Sequence, residues 1–101
     1  MGIERLPEPS APAPTPEQAK ELGRLVELIR RTARNMRSNL RRVEQRGANG
    51  TTYTIRRQLA VLHKAADDLV SSPGFNSAQH GQVIELVLRL EQRANDALRR
   101  A

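Results

Sequence analysis

Apolar residues in the first half of this chain recur in steps of three and four, at Ala19, Leu22, Val26, Ile29, Ala33, Met36, Leu40 and Val43. That rhythm runs for nearly four heptads and lays one stripe along a single face of an α-helix. It returns at Ile55, Leu59, Leu62, Ala66 and Leu69, and again at Val83, Val87, Leu90, Ala94 and Ala97. A β-strand would need alternation at every second residue, which no segment provides. The chain reads as all-α.

Boundary residues divide the stripe into three helices. Thr15, Pro16 and Gln18 make a strong start, with Thr15 as cap, Pro16 at the first helical position and Gln18 able to close a capping box. Gly47-Ala48-Asn49-Gly50 ends that helix, and Thr51 or Thr52 caps the next. Ser71-Ser72-Pro73-Gly74 breaks the second helix, and Asn76 or Ser77 opens the third. The expected helices cover about residues 16–46, 52–70 and 77–100. Three amphipathic helices joined by short loops predict an antiparallel, up-down-up three-helix bundle with a heptad-spaced core. An extended coiled coil shares the spacing, but Gly and Pro interrupt these helices too early for it. Tyr53 and Phe75, the two aromatic residues, each stand at a helix start and are read as staples or end plugs.

Ahead of the bundle, residues 7–16 read PEPSAPAPTP and are half proline. Such a run favours extended polyproline II and buries nothing. A disordered Pro-rich tail over residues 1–14 and one domain over residues 15–101 are expected.

The chain has no cysteine, hence no disulfide framework, thiolate nucleophile or Cys-based zinc site. No apolar run approaches the roughly 20 residues that span a bilayer. The N-terminus lacks the apolar stretch of a secretory signal, and Leu6 spoils a myristoylation reading of Met1-Gly2. A soluble, cytoplasmic protein is expected. Catalytic patterns are missing as well. His63 and Asp67 are spaced i,i+4 and read as a surface pair, with His80 too remote to complete a metal site. Asp67 and Asp68 point to different faces, and no Ser-His-Asp pattern occurs. A bundle this small offers no natural concavity for a small substrate. The chain is read as non-catalytic, with no metal and no cofactor.

Charge is the stronger signal. Arg30, Arg31, Arg34, Arg37, Arg41, Arg42 and Arg46 stand against the single acid Glu44, which gives that segment the whole formal net charge of +6. Folded up-down-up, the end of the first helix, the start of the second and the end of the third share one pole. It gathers Arg41, Arg42, Arg46, Arg56, Arg57, Arg99 and Arg100. Bases at helix C-termini complement the macrodipole, and Glu27–Arg31, Glu85–Arg89 and Asp96–Arg100 are ordinary i,i+4 pairs. Arg56 and Arg57 are different. They begin the second helix against its dipole and beside like charge, while Asp67 and Asp68 end it. A choice unfavourable twice over marks the basic pole as a working surface. Its expected members are Arg34, Arg37, Arg41, Arg42, Arg46, Arg56 and Arg57, centred on the corner between the first two helices. The loop from Arg46 to Thr52 could offer backbone N–H groups to an anion there.

Some apolar residues fall off the stripes. Leu28, Val61 and Leu88 are read as an apolar interface, and the third helix is apolar around most of its girth, so it is expected either to sit centrally in the bundle or to contact another chain. Self-association or a partner helix would cover them. The overhanging stripe at Ala19, Leu22 and Val26 also needs cover, from the third helix, the Ser71–Phe75 loop or a partner.

These features together predict a non-catalytic helical module that presents a basic pole to an acidic protein partner. The alternative is a small nucleic-acid-binding protein using the same arginines on phosphates. It lacks a zinc motif, a recognition helix after a tight turn and an aromatic stacking platform. Membrane contact is disfavoured because no Trp or Phe lies on the first helix.

Overall fold

The structure, a computed structural model, describes residues 13–47 and 50–100. Three α-helices account for nearly all of them: α1 (Pro16–Arg46), α2 (Thr51–Ser71) and α3 (Ser77–Arg100). The chain runs up, down and up, so that α2 is antiparallel to both neighbours. Side-chain contacts fix that arrangement. Asn39 of α1 donates from Nδ2 to Gln58 Oε1 of α2 at 3.1 Å. Glu44 of α1 meets Arg93 of α3, and His63 of α2 meets Glu91 of α3. The expected three-helix bundle is the fold.

Local chemistry sets the ends. The Thr15 Oγ1 accepts from the Gln18 N–H at 3.1 Å, and the Thr15 N–H donates back to Gln18 Oε1 at 3.0 Å, a complete capping box. Gly47 closes α1 at φ +85°, a conformation that favours glycine, and its N–H returns to the Val43 carbonyl. α2 starts at Thr51 with Gly50 at the cap position, so neither threonine stands ahead of the helix as cap. Asn76 Oδ1 accepts from the backbone of Ala78 and Gln79 at the start of α3. Phe75 stacks on His80, centroids 5.5 Å apart, as the staple across that cap. Tyr53 does not plug anything. It is 65% exposed, with the Arg57 guanidinium 5.8 Å above its ring.

The core is the heptad stripe with two shifts. Leu22, Ile29, Ala33, Met36, Leu40 and Val43 of α1 are buried, as are Ile55, Leu62 and Leu69 of α2 and all five stripe residues of α3. Among the described residues, no polar or charged residue is buried. Leu25 is buried where Val26 was expected, and Ala65 is buried beside a half-buried Leu59 and Ala66. Each fully buried Leu or Ile contributes about 1.5–3 kcal/mol relative to exposure.

Helix α1 is the central element: it packs along both α2 and α3, whose mutual contact is smaller. The apolar girth of α3 therefore does not make it central. Val83, Val87 and Leu90 are buried, Ile84 and Leu86 are half-buried, and Leu88 is 57% exposed. The α2–α3 turn covers part of the overhanging α1 stripe. Gly74, at φ +87°, sits so close that a Cβ there would lie 2.7 Å from Pro14 Cβ and 3.3 Å from Leu22 Cδ1. Leu22 is buried beneath this cover, whereas Ala19 is exposed. Of the expected tail, residues 1–12 lie outside the described residues. No helix among the described residues is long and apolar enough to cross a membrane.

Candidate binding surface

Fourteen of the chain's arginines lie in the described residues, and four of them have a carboxylate at ion-pair distance. Arg24 pairs with Glu21, Arg89 with Glu85, Arg93 with Glu44 and Arg99 with Asp96. The others, Arg30, Arg31, Arg34, Arg37, Arg41, Arg42, Arg46, Arg56, Arg57 and Arg100, have no carboxylate that close among the described residues. The expected Glu27–Arg31 pair does not form, and Asp96 takes Arg99 in place of Arg100. An i,i+3 contact suits the Arg99 stem as well as i,i+4 would suit Arg100.

Glu44, the single acid of the Arg30–Arg46 segment, is spent across the bundle. Arg93 donates to both its carboxylate oxygens, from Nε at 2.9 Å and from Nη2 at 2.8 Å. These bonds hold the Glu44 carboxyl below the usual carboxylate range, against the opposing effect of burial, and Arg93, Arg100 and Arg41 add to the lowering through their charge. The same bonds raise the Arg93 guanidinium above its ordinary value. Glu44 is thus a lone acid nested among three arginines from two helices.

Three of the unpaired arginines, all on α1, share one groove. Arg30, Arg34 and Arg37 of α1 line a groove of about 480 Å³ against α3, where Arg89 and Glu85 form the facing wall and Val83 and Leu86 the floor. Four arginines against one glutamate leave this groove at +3, and Glu85 is already engaged by Arg89 at 3.3 Å. The row continues toward Glu44 at Arg41, which follows Arg37 by one further turn on the same face. Arg42 and Arg46 stand about 120° or more around α1 from Arg30 and do not line this groove.

Arg57 lies on another face. With Tyr53, Gln58 and Val61 of α2 and Thr32 and Asn35 of α1, it lines a hollow of about 310 Å³. Arg56 is exposed and lines neither this hollow nor the α1–α3 groove. Among the expected basic-pole residues, the structure brings Arg34 and Arg37 into one groove with Arg41 next in their row. It sets Arg42, Arg46, Arg56 and Arg57 apart from it. Arg30 and Arg89 join the groove without having been singled out from the sequence. Ala48 and Asn49, the middle of the anion-receiving loop, lie outside the described residues.

The three apolar candidates separate too. Leu28 and Val61 come together in a hollow of about 250 Å³ between α1 and α2, with Leu25 and Ala65 beneath. Leu28 is half-buried against the core, Val61 is 41% exposed, and Leu88 stands alone on α3. His63 turns to Glu91 of α3 (Nε2 to Oε2, 2.9 Å) and not to Asp67. A partner on the facing helix is reached more directly than one a turn away on the same helix. Among the described residues, no cluster of three metal-ligating side chains occurs.

No protein-family model matches this chain, and no curated protein or solved structure is significantly similar to it.

Proposed function

We propose that the protein is a non-catalytic helical interaction module that presents a basic surface to an acidic protein partner. The observation that carries this reading is the α1–α3 groove, where Arg30, Arg34, Arg37 and Arg89 surround an apolar floor of Val83 and Leu86. Arg30, Arg34 and Arg37, like charges clustered without carboxylate partners among the described residues, cost the free protein energy, and an anionic partner recovers it. An apolar floor between the charged walls suits a protein surface, which brings both carboxylates and aliphatic groups. A cytoplasmic location belongs to the same reading and rests on the sequence.

Nucleic-acid binding is the second reading, favoured by the ten unpaired arginines, and it makes no use of the floor. The two are separated by fluorescence titration of an acidic polypeptide, poly-glutamate, and of single-stranded and duplex DNA and RNA, at two ionic strengths. The protein reading expects binding to the polypeptide that drops with Arg34→Glu plus Arg37→Glu. Tight binding to nucleic acid alone, with log affinity falling steeply against log salt, would replace it. No binding to any probe at low salt would remove both.

A further inference from the structure

The α1 wall of the groove has a spacing as well as a charge. Arg30, Arg34, Arg37 and Arg41 follow one another by four, three and four residues, so their side chains form a row on one face of α1. Neighbours in such a row stand about 5–6 Å apart, and the row spans about 16 Å. None of the four has a carboxylate partner among the described residues. Beside the row lies the floor of Val83, which is buried, and Leu86, which is half-buried.

The geometry points to an acidic amphipathic helix as the occupant of this groove. It would lie lengthwise between α1 and α3, its carboxylates recurring at steps of three and four against the arginine row and its aliphatic flank resting on Val83 and Leu86. This rests on the reading of the protein as a module for an acidic protein partner, and adds the partner's conformation and its pattern of charge.

Register is the argument for a helix. A docked helix rises about 1.5 Å per residue, as α1 does, so carboxylates spaced in the 4-3-4 manner stay opposite successive arginines along the whole row. An extended strand places same-face side chains about 6.6–6.8 Å apart, and three such steps reach about 20 Å, some 4 Å past the end of the row. A phosphate backbone could neutralise the arginines, but it would bring nothing apolar to Val83 and Leu86. The furrow between two side-by-side helices is also where a further helix packs, at an interaxial distance of about 8–10 Å. Recognition would be of the helix-in-groove kind, with charge setting the register.

Two synthetic peptides of about three heptads and identical composition test the idea. One carries Glu in a 4-3-4 stripe flanking a Leu stripe. The other has the same residues shuffled so that Glu is spread around the helix. Binding to the full chain is followed by fluorescence anisotropy at about 0.15 M salt, with duplex DNA as a third probe. The patterned peptide should bind at least about ten-fold more tightly than its shuffled isomer. Arg34→Glu plus Arg37→Glu should weaken it by more than about ten-fold, and the equally charged Arg42→Glu plus Arg46→Glu by less than about three-fold. If both peptides bind equally and both lose affinity with Arg34→Glu plus Arg37→Glu, the helix inference fails while the acidic-partner reading stands. If only DNA binds, or nothing binds, both fail.

Discussion

Glu44 of α1 and Arg93 of α3, forty-nine residues apart in sequence, form a two-point fork at 2.8 and 2.9 Å that ties the C-terminal halves of their helices together. Both side chains keep a little over a third of their surface in water. The fork therefore contributes modestly to stability, about 0.5 kcal/mol after screening. Its larger consequence is electrical. By engaging the one acid within the Arg30–Arg46 segment, it leaves Arg30, Arg34 and Arg37 with no carboxylate at ion-pair distance among the described residues.

That pairing has a pH signature. The Arg93 hydrogen bonds depress the folded-state pKa of Glu44, so the unfolded chain binds its proton first as pH falls. The stabilisation is then fully present above the unfolded carboxyl value of about 4.3 and is lost below it, as pH falls through the lower folded value. Urea denaturation of the wild type and Glu44→Gln at a series of pH values should show a gap of about 0.5 kcal/mol at neutral pH. The gap should narrow steadily below about pH 4. A gap that is constant with pH would show that the fork does not hold the carboxylate. Glu21, lowered by its own hydrogen bond from Arg24, is exposed and lies far along α1 from the substitution.

How much of this was legible depended on how many bodies met at each position. All five stripe residues of α3 are buried because α1 and α2 flank them along that length, and heptad spacing describes such a seam well. Near the start of α1 the seam turns. Leu25 faces Val61 and Ala65 of α2 in the same hollow, whereas Val26, about 100° around the helix, is only half-buried. A strict heptad follows Val26 and misses Leu25, because a straight helix drifts about 20° per heptad from the ideal 3.5-residue repeat. The groove was missed for another reason. The summed charge of a segment pools Arg42 and Arg46 with Arg34 and Arg37, although 4-3-4 counting separates their faces. The Glu44–Arg93 fork and the place of Arg89 depend on how far α3 slides along α1, which loops and packing set and no local pattern records.

The α2–α3 turn offers a separation of steric and backbone effects. Gly47 and Gly74 share nearly the same positive φ, +85° and +87°, but a Cβ at Gly47 would meet nothing within 4 Å. Gly47→Ala should therefore cost only the conformational term, about 1–3 kcal/mol, since φ +85° with ψ −172° is a region other residues almost never adopt. Gly74→Ala adds the 2.7 Å approach to Pro14 Cβ and should cost more. Adding Pro14→Gly to Gly74→Ala should recover most of the excess, leaving the conformational part and the 3.3 Å approach to Leu22 Cδ1. Equal costs for the two single alanine variants would mean that Pro14 does not rest on the turn.

Burial predicts a sharp contrast between two leucines. Leu62 is fully buried between the helices, and Leu88 is 57% exposed. Leu62→Ala should destabilise by about 2–5 kcal/mol through lost transfer energy and the cavity left behind. Leu88→Ala should stay within about 0.5 kcal/mol. Thermal unfolding reads both, since about 1 kcal/mol moves the midpoint of a domain this size by roughly 4–8 °C. A Leu88→Ala loss as large as that of Leu62→Ala would mean that this face is covered in solution.

Salt should stabilise the free protein. The row from Arg30 to Arg41 holds three successive like-charge neighbours, each unfavourable by about 0.2–0.5 kcal/mol, or about 1 kcal/mol together. Screening shortens from about 10 Å at 0.1 M salt to about 3 Å at 1 M, comparable to or less than the spacing in the row, so the repulsion fades. The exposed ion pairs elsewhere lose strength at the same time, but pairs of that kind contribute little. The melting midpoint should rise by several degrees between low and high NaCl. Arg34→Gln removes two of the three repulsions, so it should raise the midpoint at low salt and have no such effect at high salt. A midpoint that falls with salt, or an Arg34→Gln gain that survives it, would show that the arginine row is not under electrostatic stress in the free protein.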